Sequence, residues 1–440
     1  MLSIYLTEEL GNKPQFLYYF CNGQDETHNN AAAVLRTLIW QALESHEEAA
    51  QHLARYVDDP SQRQATLTSP ATLWNLFVKI AKEIVAKSNL PILCLIDGID
   101  ECDPGSTRWL CDKFTDFCCD SMNKSLLRLV VVSRQVSGLS RATKIELDST
   151  INKNTTDDVA IFISESVQEL ASERRLNAGV CEHIRTMLHE ESQGTFLWVG
   201  FVLQELRTLD TGLEMLRALE SMPKGLSASY QVILSRIEAR GSAKSVSILH
   251  WVAMAYRPLS LDEIAAAIEC EPHNSERALA VIRDEVAICA PLLAVRQGNV
   301  GLVHQSVKDY LVRTQKAHNP TLRKYFVNLE AVHFHLAQQC LRSLSWNDKL
   351  TDYATEHWLN HANQLHALAY RLVVEEPSFF GSNPSVRDAW RLKFRLLART
   401  RPEFQWMSTS IPISRLHMAC YLGLWAWVEL IFTEEGPALF

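Results

Sequence analysis

Ile92-Leu93-Cys94-Leu95-Ile96-Asp97-Gly98-Ile99-Asp100-Glu101 is the stretch on which the fold turns. It follows Pro91 as a continuous apolar run and ends in acid. Continuous rather than alternating apolarity predicts a strand covered on both faces, as in a parallel sheet. Its acidic cluster is thereby carried to the carboxyl end of that strand. This is the edge at which open α/β sheets bind ligands.

Working outward, the chain repeats the same theme. Phe16 to Cys21 is a short aromatic run after Gly11 and Pro14, and it predicts a second buried strand. Leu126 to Val132 predicts a third, ending at Ser133-Arg134, and Lys144 to Leu147 a fourth. Helical periodicity fills the intervals, through Val34, Leu35, Leu38, Ile39 and Ala42, through Leu76, Phe77, Ile80 and Ile84, and from Arg108 to Cys119. A polar loop is expected over residues 58–70. Alternation of strand and helix predicts an open α/β sheet over residues 1–150. Leu2, Leu6 and Leu10 recur at every fourth residue, as in the middle of an amphipathic helix. A helix that opens without a cap leads to the expectation of a missing upstream segment.

Beyond residue 150 the strand signals stop, and a helical domain is expected over 151–240. Ser260-Leu261-Asp262-Glu263 forms a Ser-x-x-Glu capping box before an apolar helix. Leu292 to Arg296 and Val300 to His304 read as strands joined by Gln297-Gly298-Asn299, with a helix from Ser306 to Val312. Helices followed by a small hairpin are the parts of a winged helix, assigned here to 241–322. Residues 323–405 read as helical. Ser414-Arg415-Leu416-His417-Met418-Ala419, followed by Gly423, resembles the opening of an ankyrin repeat and is assigned to 406–440. One such unit cannot bury its own face, so either further repeats or the preceding helices must cover it.

Composition narrows the function. The 440 residues are 47% hydrophobic and 21% charged, ordinary for globular domains. A net charge of −8 and a pI near 6.0 argue against non-specific nucleic-acid binding, which needs a basic surface. The 11 cysteines have no regular spacing and include no C-x-x-C pair. They read as reduced thiols of a cytoplasmic protein, not as a zinc cluster. Cys94 and Cys102 flank the acidic motif. No apolar run approaches the roughly 20 residues needed to span a bilayer. The amino terminus lacks the basic region of a signal peptide.

The chemistry centres on the acidic string. Asp97 stands where a strand-end carboxylate holds Mg²⁺ through water, and Asp100 or Glu101 is placed to polarise an attacking water. Val130-Val131-Val132-Ser133-Arg134 ends a neighbouring strand, so Arg134 can present its fixed guanidinium fork near a γ-phosphate. The histidines lack ligand spacing: His333 and His335, two apart on a helix, face away from each other. No G-x-S-x-G marks a nucleophile elbow. A hydrolase or metal enzyme is therefore a weak reading.

Taken together these strings resemble the NACHT branch of the STAND NTPases in its fungal form. Asp97-Gly98-Ile99-Asp100-Glu101 resembles the family's Walker B motif, and Ser133-Arg134 its sensor. Three further strings resemble fungal members: Gly194-Thr195-Phe196-Leu197-Trp198-Val199, Met222-Pro223-Lys224-Gly225-Leu226, and Leu302 to Leu311 (LVHQSVKDYL). The resemblance continues through Tyr353 to Ala362 (YATEHWLNHA). It implies a P-loop NTPase parallel sheet, ATP or GTP with Mg²⁺, oligomeric switching and, in fungi, non-self recognition or programmed cell death. It also implies that His304, the winged-helix histidine, contacts the nucleotide diphosphate. Protein partners would be recognised by self-assembly and by ankyrin repeats.

One departure stands out. The phosphate-binding string G-x-x-x-x-G-K-[ST], which supplies backbone amides, a lysine and a hydroxyl, occurs nowhere in the 440 residues. The family places it just before the helix that opens at Met1, so the expectation is a sheet lacking this loop. Each hydrogen bond to a charged group contributes roughly 1.5–3 kcal/mol. Losing about four costs at least about 6 kcal/mol, on the order of 10⁴ in affinity. Two functions follow: an NTP-dependent signalling switch with nucleotide binding impaired in this chain, or a non-catalytic scaffold with a vestigial site.

Overall fold

The computed structural model describes residues 2–435 except 12, 14, 26–27, 58–65, 121–122, 124, 135, 137, 140, 142, 144, 146–152, 193–194, 241–242, 269–274, 314–318, 384 and 398–413. Two compact units divide the chain. One comprises residues 1–142, 254–267 and 330–440, and the other 143–253 and 268–329.

The sheet of the first unit is built as the apolar runs demand. Strands β1 (Phe16–Phe20), β2 (Ile92–Asp97) and β3 (Leu127–Val132) pair in parallel in the order β1-β2-β3. The acidic strand is therefore central, and Asp97 pairs in register with both Phe20 and Val132. The fourth strand expected at Lys144–Leu147 lies largely outside the described residues. So does most of the expected polar loop, whose described end at 66–68 is helical.

Helices α1 (Leu2–Leu10), α2 (Ala31–Ser45), α3 (Gln51–Val57), α4 (Pro70–Ser88) and α5 (Pro104–Cys119) fill the intervals. Their starts are chemically marked. Asn30 caps α2 through the Ala33 amide at 2.9 Å, Ser69 caps α4, and Asp103 caps α5 through Ser106 at 2.9 Å. Pro70 and Pro104 occupy the first turn, where a missing N–H costs nothing. Val34, Leu35, Leu38, Leu76, Phe77 and Ile80 are fully buried with Cys94 and Ile96 of β2 in one core. Trp74 of α4 meets Trp109, Phe114 and Phe117 of α5 edge-on, with ring centroids 6.4, 5.2 and 5.6 Å apart. The outer edge of β1 is closed by a side chain: Gln41 accepts from the Tyr18 amide at 2.9 Å and donates to its carbonyl at 3.1 Å.

The carboxyl-terminal part of this unit is helical. Tyr353, His361, His333 and Tyr256 form a buried polar chain within it. The Tyr256 amide donates to the Tyr353 hydroxyl at 3.2 Å, and that hydroxyl is hydrogen-bonded to Nε2 of His361 at 2.8 Å. Nδ1 of His361 is in turn hydrogen-bonded to Nδ1 of His333 at 2.8 Å. His335 faces solvent while His333 is buried, so the two do point apart. The last helix pair, Arg415–Leu422 and Trp425–Glu435, turns at Gly423 with φ +72°. Its Trp427 donates to the Phe380 carbonyl at 2.9 Å and packs against Phe379 and Phe380. The preceding helices thus cover this repeat-like unit.

The second unit is mainly helical. Val159, Ile163, Val167, Ile184, Leu188 and Val199 share its core. Its hairpin, Leu293–Arg296 with Asn299–Leu302, turns through Gln297 and Gly298, both at positive φ.

Candidate functional site

The site is built at the carboxyl edge of the central strand. Beyond Asp97 the backbone bonds to both neighbours at once: the Cys21 amide donates to the Asp97 carbonyl and the Gly98 amide to the Val132 carbonyl, each at 2.8 Å. Gly98 then turns the chain at φ +71°, with a Cβ position 3.4 Å from the Cys21 carbonyl. A 3₁₀ turn over Ile99–Glu101 follows, its Ile99 fully buried. That turn sends the two remaining acids in opposite directions.

Asp100 points to the β3 side. Its carboxylate accepts from the Arg134 amide at 3.1 Å and from Arg134 Nε at 2.7 Å. Glu101 points to the β1 side and accepts from the Gly23 amide at 3.0 Å. Asp97 faces α1. Burial raises its carboxyl above the ordinary value, opposed by a hydrogen bond donated from the Ser3 hydroxyl. Ser3 is buried on α1 despite its polarity.

Asp97, Asp100, Glu101 and Arg134 therefore stand at one sheet edge, beside the first turn of α1. Ser3 escaped the sequence reading. The available signal was a small hydroxyl beside the Leu2-Leu6-Leu10 stripe, ambiguous until the helix is docked. His304 belongs to the second unit, where it caps the helix Gln305–Val312. Its Nδ1 accepts from the Ser306 amide at 3.1 Å and meets the Ser306 hydroxyl at 2.7 Å. The proton of the neutral ring then lies on Nε2. Among the described residues no cluster of three or more His, Cys, Asp or Glu could itself hold a metal ion.

The donor set decides what this edge can bind. A carboxylate paired with a serine hydroxyl suits the hydrated side of Mg²⁺, and the Arg134 fork suits a phosphate. The phosphate-binding string G-x-x-x-x-G-K-[ST] does not occur in these 440 residues.

Residues 1–134 match the family model of the nephrocystin 3 amino-terminal domain. Residues 231–322 match that of the winged-helix domain of GPI inositol-deacylase. Over 321 residues the chain is 29% identical to vegetative incompatibility protein HET-E-1 of Podospora anserina, an alignment spanning 70% of this chain and 23% of that protein. These similarities support the resemblance to NACHT-type proteins that the sequence strings carry. A solved structure, the Walker-type ATPase PABY2304 of Pyrococcus abyssi, aligns with 70% of the chain at 14% identity, covering 93% of that structure with a TM-score of 0.23.

Three strings that carry the NACHT resemblance meet in the second unit. Trp198 donates from Nε1 to the Pro223 carbonyl at 3.0 Å, joining the first to the second. Tyr230, on the helix opened by the second, packs tilted against Tyr310 with ring centroids 5.2 Å apart, and its hydroxyl meets Ser306 at 2.8 Å. The capping box at Ser260 is present in the first unit. Ser260 and Glu263 bond reciprocally at 2.8 and 3.2 Å, and Arg257 grips Glu263 with two nitrogens. Among the described residues no helix is long and apolar enough to cross a membrane.

Proposed function

We propose that this NACHT-type chain is the core of a nucleotide-controlled signalling switch of fungal non-self recognition, and that this polypeptide alone binds nucleotide weakly. The observation that carries the reading is the sheet edge, where Asp97 meets Ser3 while Asp100 meets Arg134. Support comes also from the similarity to an incompatibility protein.

In this reading Asp97 holds Mg²⁺ through water, and Ser3 fixes the orientation of its carboxylate. Asp100 and Glu101 flank the position of an attacking water, and Arg134 turns from Asp100 to the γ-phosphate when nucleotide is present. His304 contacts the diphosphate in the closed state. The bound Mg²⁺-ATP or Mg²⁺-GTP supplies the charge that reorganises these side chains, and hydrolysis is slow. Residues 1–150, 151–240, 241–322, 323–405 and 406–440 act as sheet, helical, winged-helix, linker and ankyrin-like parts, with protein partners recognised through self-assembly and the last part. A cytoplasmic location fits this role. A second reading is a non-catalytic scaffold with a vestigial site.

Calorimetric titration with Mg²⁺-ATP separates the two. The 440-residue chain is expected to show no saturable binding below about 1 mM, and the same chain preceded by a G-x-x-x-x-G-K-T loop a gain on the order of 10⁴. Asp97→Asn in the extended chain is expected to remove the Mg²⁺ dependence of binding. Tight binding by the unextended chain refutes weak binding, and an extended chain that gains nothing supports the scaffold.

A further inference from the structure

The acidic edge carries a second chemistry that nucleotide binding does not use. Cys21 leaves the end of β1 and Cys102 follows the acidic turn after β2, 81 residues later, with their sulfurs 3.4 Å apart. Both positions are held by backbone. The Cys21 amide donates to the Asp97 carbonyl at 2.8 Å, and the Cys102 amide donates to the Ile99 carbonyl at 3.3 Å. The Glu101–Gly23 bond ties the same two segments beside the pair. Cys102 is buried, whereas Cys21 is partly exposed and so is reached first from solvent.

We infer that Cys21 and Cys102 form a thiol pair that a low-molecular-weight disulfide converts to an intramolecular disulfide, stapling the acidic turn to β1. The Cys21 thiolate attacks the small disulfide, forming a mixed disulfide and releasing one small thiolate, which takes up the proton lost by Cys21. The Cys102 thiolate then attacks the Cys21 sulfur, expelling the second small thiolate, which takes up the Cys102 proton. Two protein thiols are oxidised and one disulfide is reduced to two thiols. The two sulfurs close from 3.4 Å to a bond length of about 2.05 Å.

Around the pair stand Tyr19, Asp97, Glu101 and Cys111. The Cys21 thiol is held far above its usual range, first by its hydrogen bond with Cys102 and then by burial, with Glu101 and Asp97 adding in the same sense.

The test uses the full chain equilibrated in mixtures of reduced and oxidised glutathione, followed by alkylation and peptide mass mapping. The native protein is expected to lose the Cys21 and Cys102 alkylation sites together and to yield their linked peptide. Exposed Cys119 and Cys420 carry glutathione instead. Amide exchange over residues 98–102 is expected to slow in the oxidised form. Cys21→Ser is expected to abolish the link and leave Cys102 unlinked. Separately alkylatable Cys21 and Cys102 in the most oxidising buffer overturn the inference. So does a link that forms no better in native protein than in urea, since random pairing then explains it. None of these readouts depends on nucleotide.

Discussion

At the residue scale, the site depends on one glycine more than on any of its acids. Gly98 lets β2 end with Asp97 at the edge while Ile99 enters the core, and it does so at φ +71°. An alanine there meets both the left-handed penalty and the Cys21 carbonyl. Gly98→Ala is expected to cost about 1–2 kcal/mol, read as a lowered urea midpoint. A neutral result would show that the turn has another route. The Asp100–Arg134 pair is different in kind. Arg134 is 58% exposed, so removing it should change stability by no more than about 1 kcal/mol, even if it abolishes phosphate sensing. The acids themselves were legible from sequence because an apolar run cannot end in three carboxylates inside a core. Which partner each acid takes was not. The 3₁₀ turn alone decides that Asp100 faces β3 and Glu101 faces β1.

At the element scale, aromatic packing and a histidine chain hold the first unit. Trp74 locks α4 against α5 through three edge-on rings. Trp74→Ala is expected to destabilise by about 3–5 kcal/mol, measured by denaturant unfolding, because no neighbour is free to fill the space. His361 makes stability depend on pH. Burial, then the nearby His333 and His357, hold its imidazole well below the ordinary value. The folded chain keeps it neutral, whereas the unfolded chain protonates it below about pH 6.5. The unfolded state then binds more protons, so stability is complete above that pH and declines as the pH falls below it. Tyr353, Tyr256 and Arg257 also face this chain of rings, and Glu356 pairs with His357 at 3.3 Å. A urea midpoint unchanged between about pH 7.5 and 5.5 would sink this account. Sequence periodicity showed that His333 and His335 diverge. It gave no hint that His333 would find His361, which lies one helix away.

At the scale of the whole molecule, two units with separate cores organise the chain. Their unfolding is expected to resolve into more than one calorimetric transition. Trp198→Phe, which removes the bond to the Pro223 carbonyl, is expected to lower the second unit's transition by about 1–3 kcal/mol and leave the other in place. A single transition that shifts as one would contradict this. The sequence by itself determined the parallel strands, the acidic edge, the capping box and the turns, because apolar periodicity and backbone chemistry act over a few neighbouring residues. Only tertiary structure decided that Ser3 would meet Asp97, that Cys21 would meet Cys102 and that Trp427 would seat the last helix pair. Those pairings span tens of residues, and no local preference encodes which distant surface will be left for a side chain to bury against.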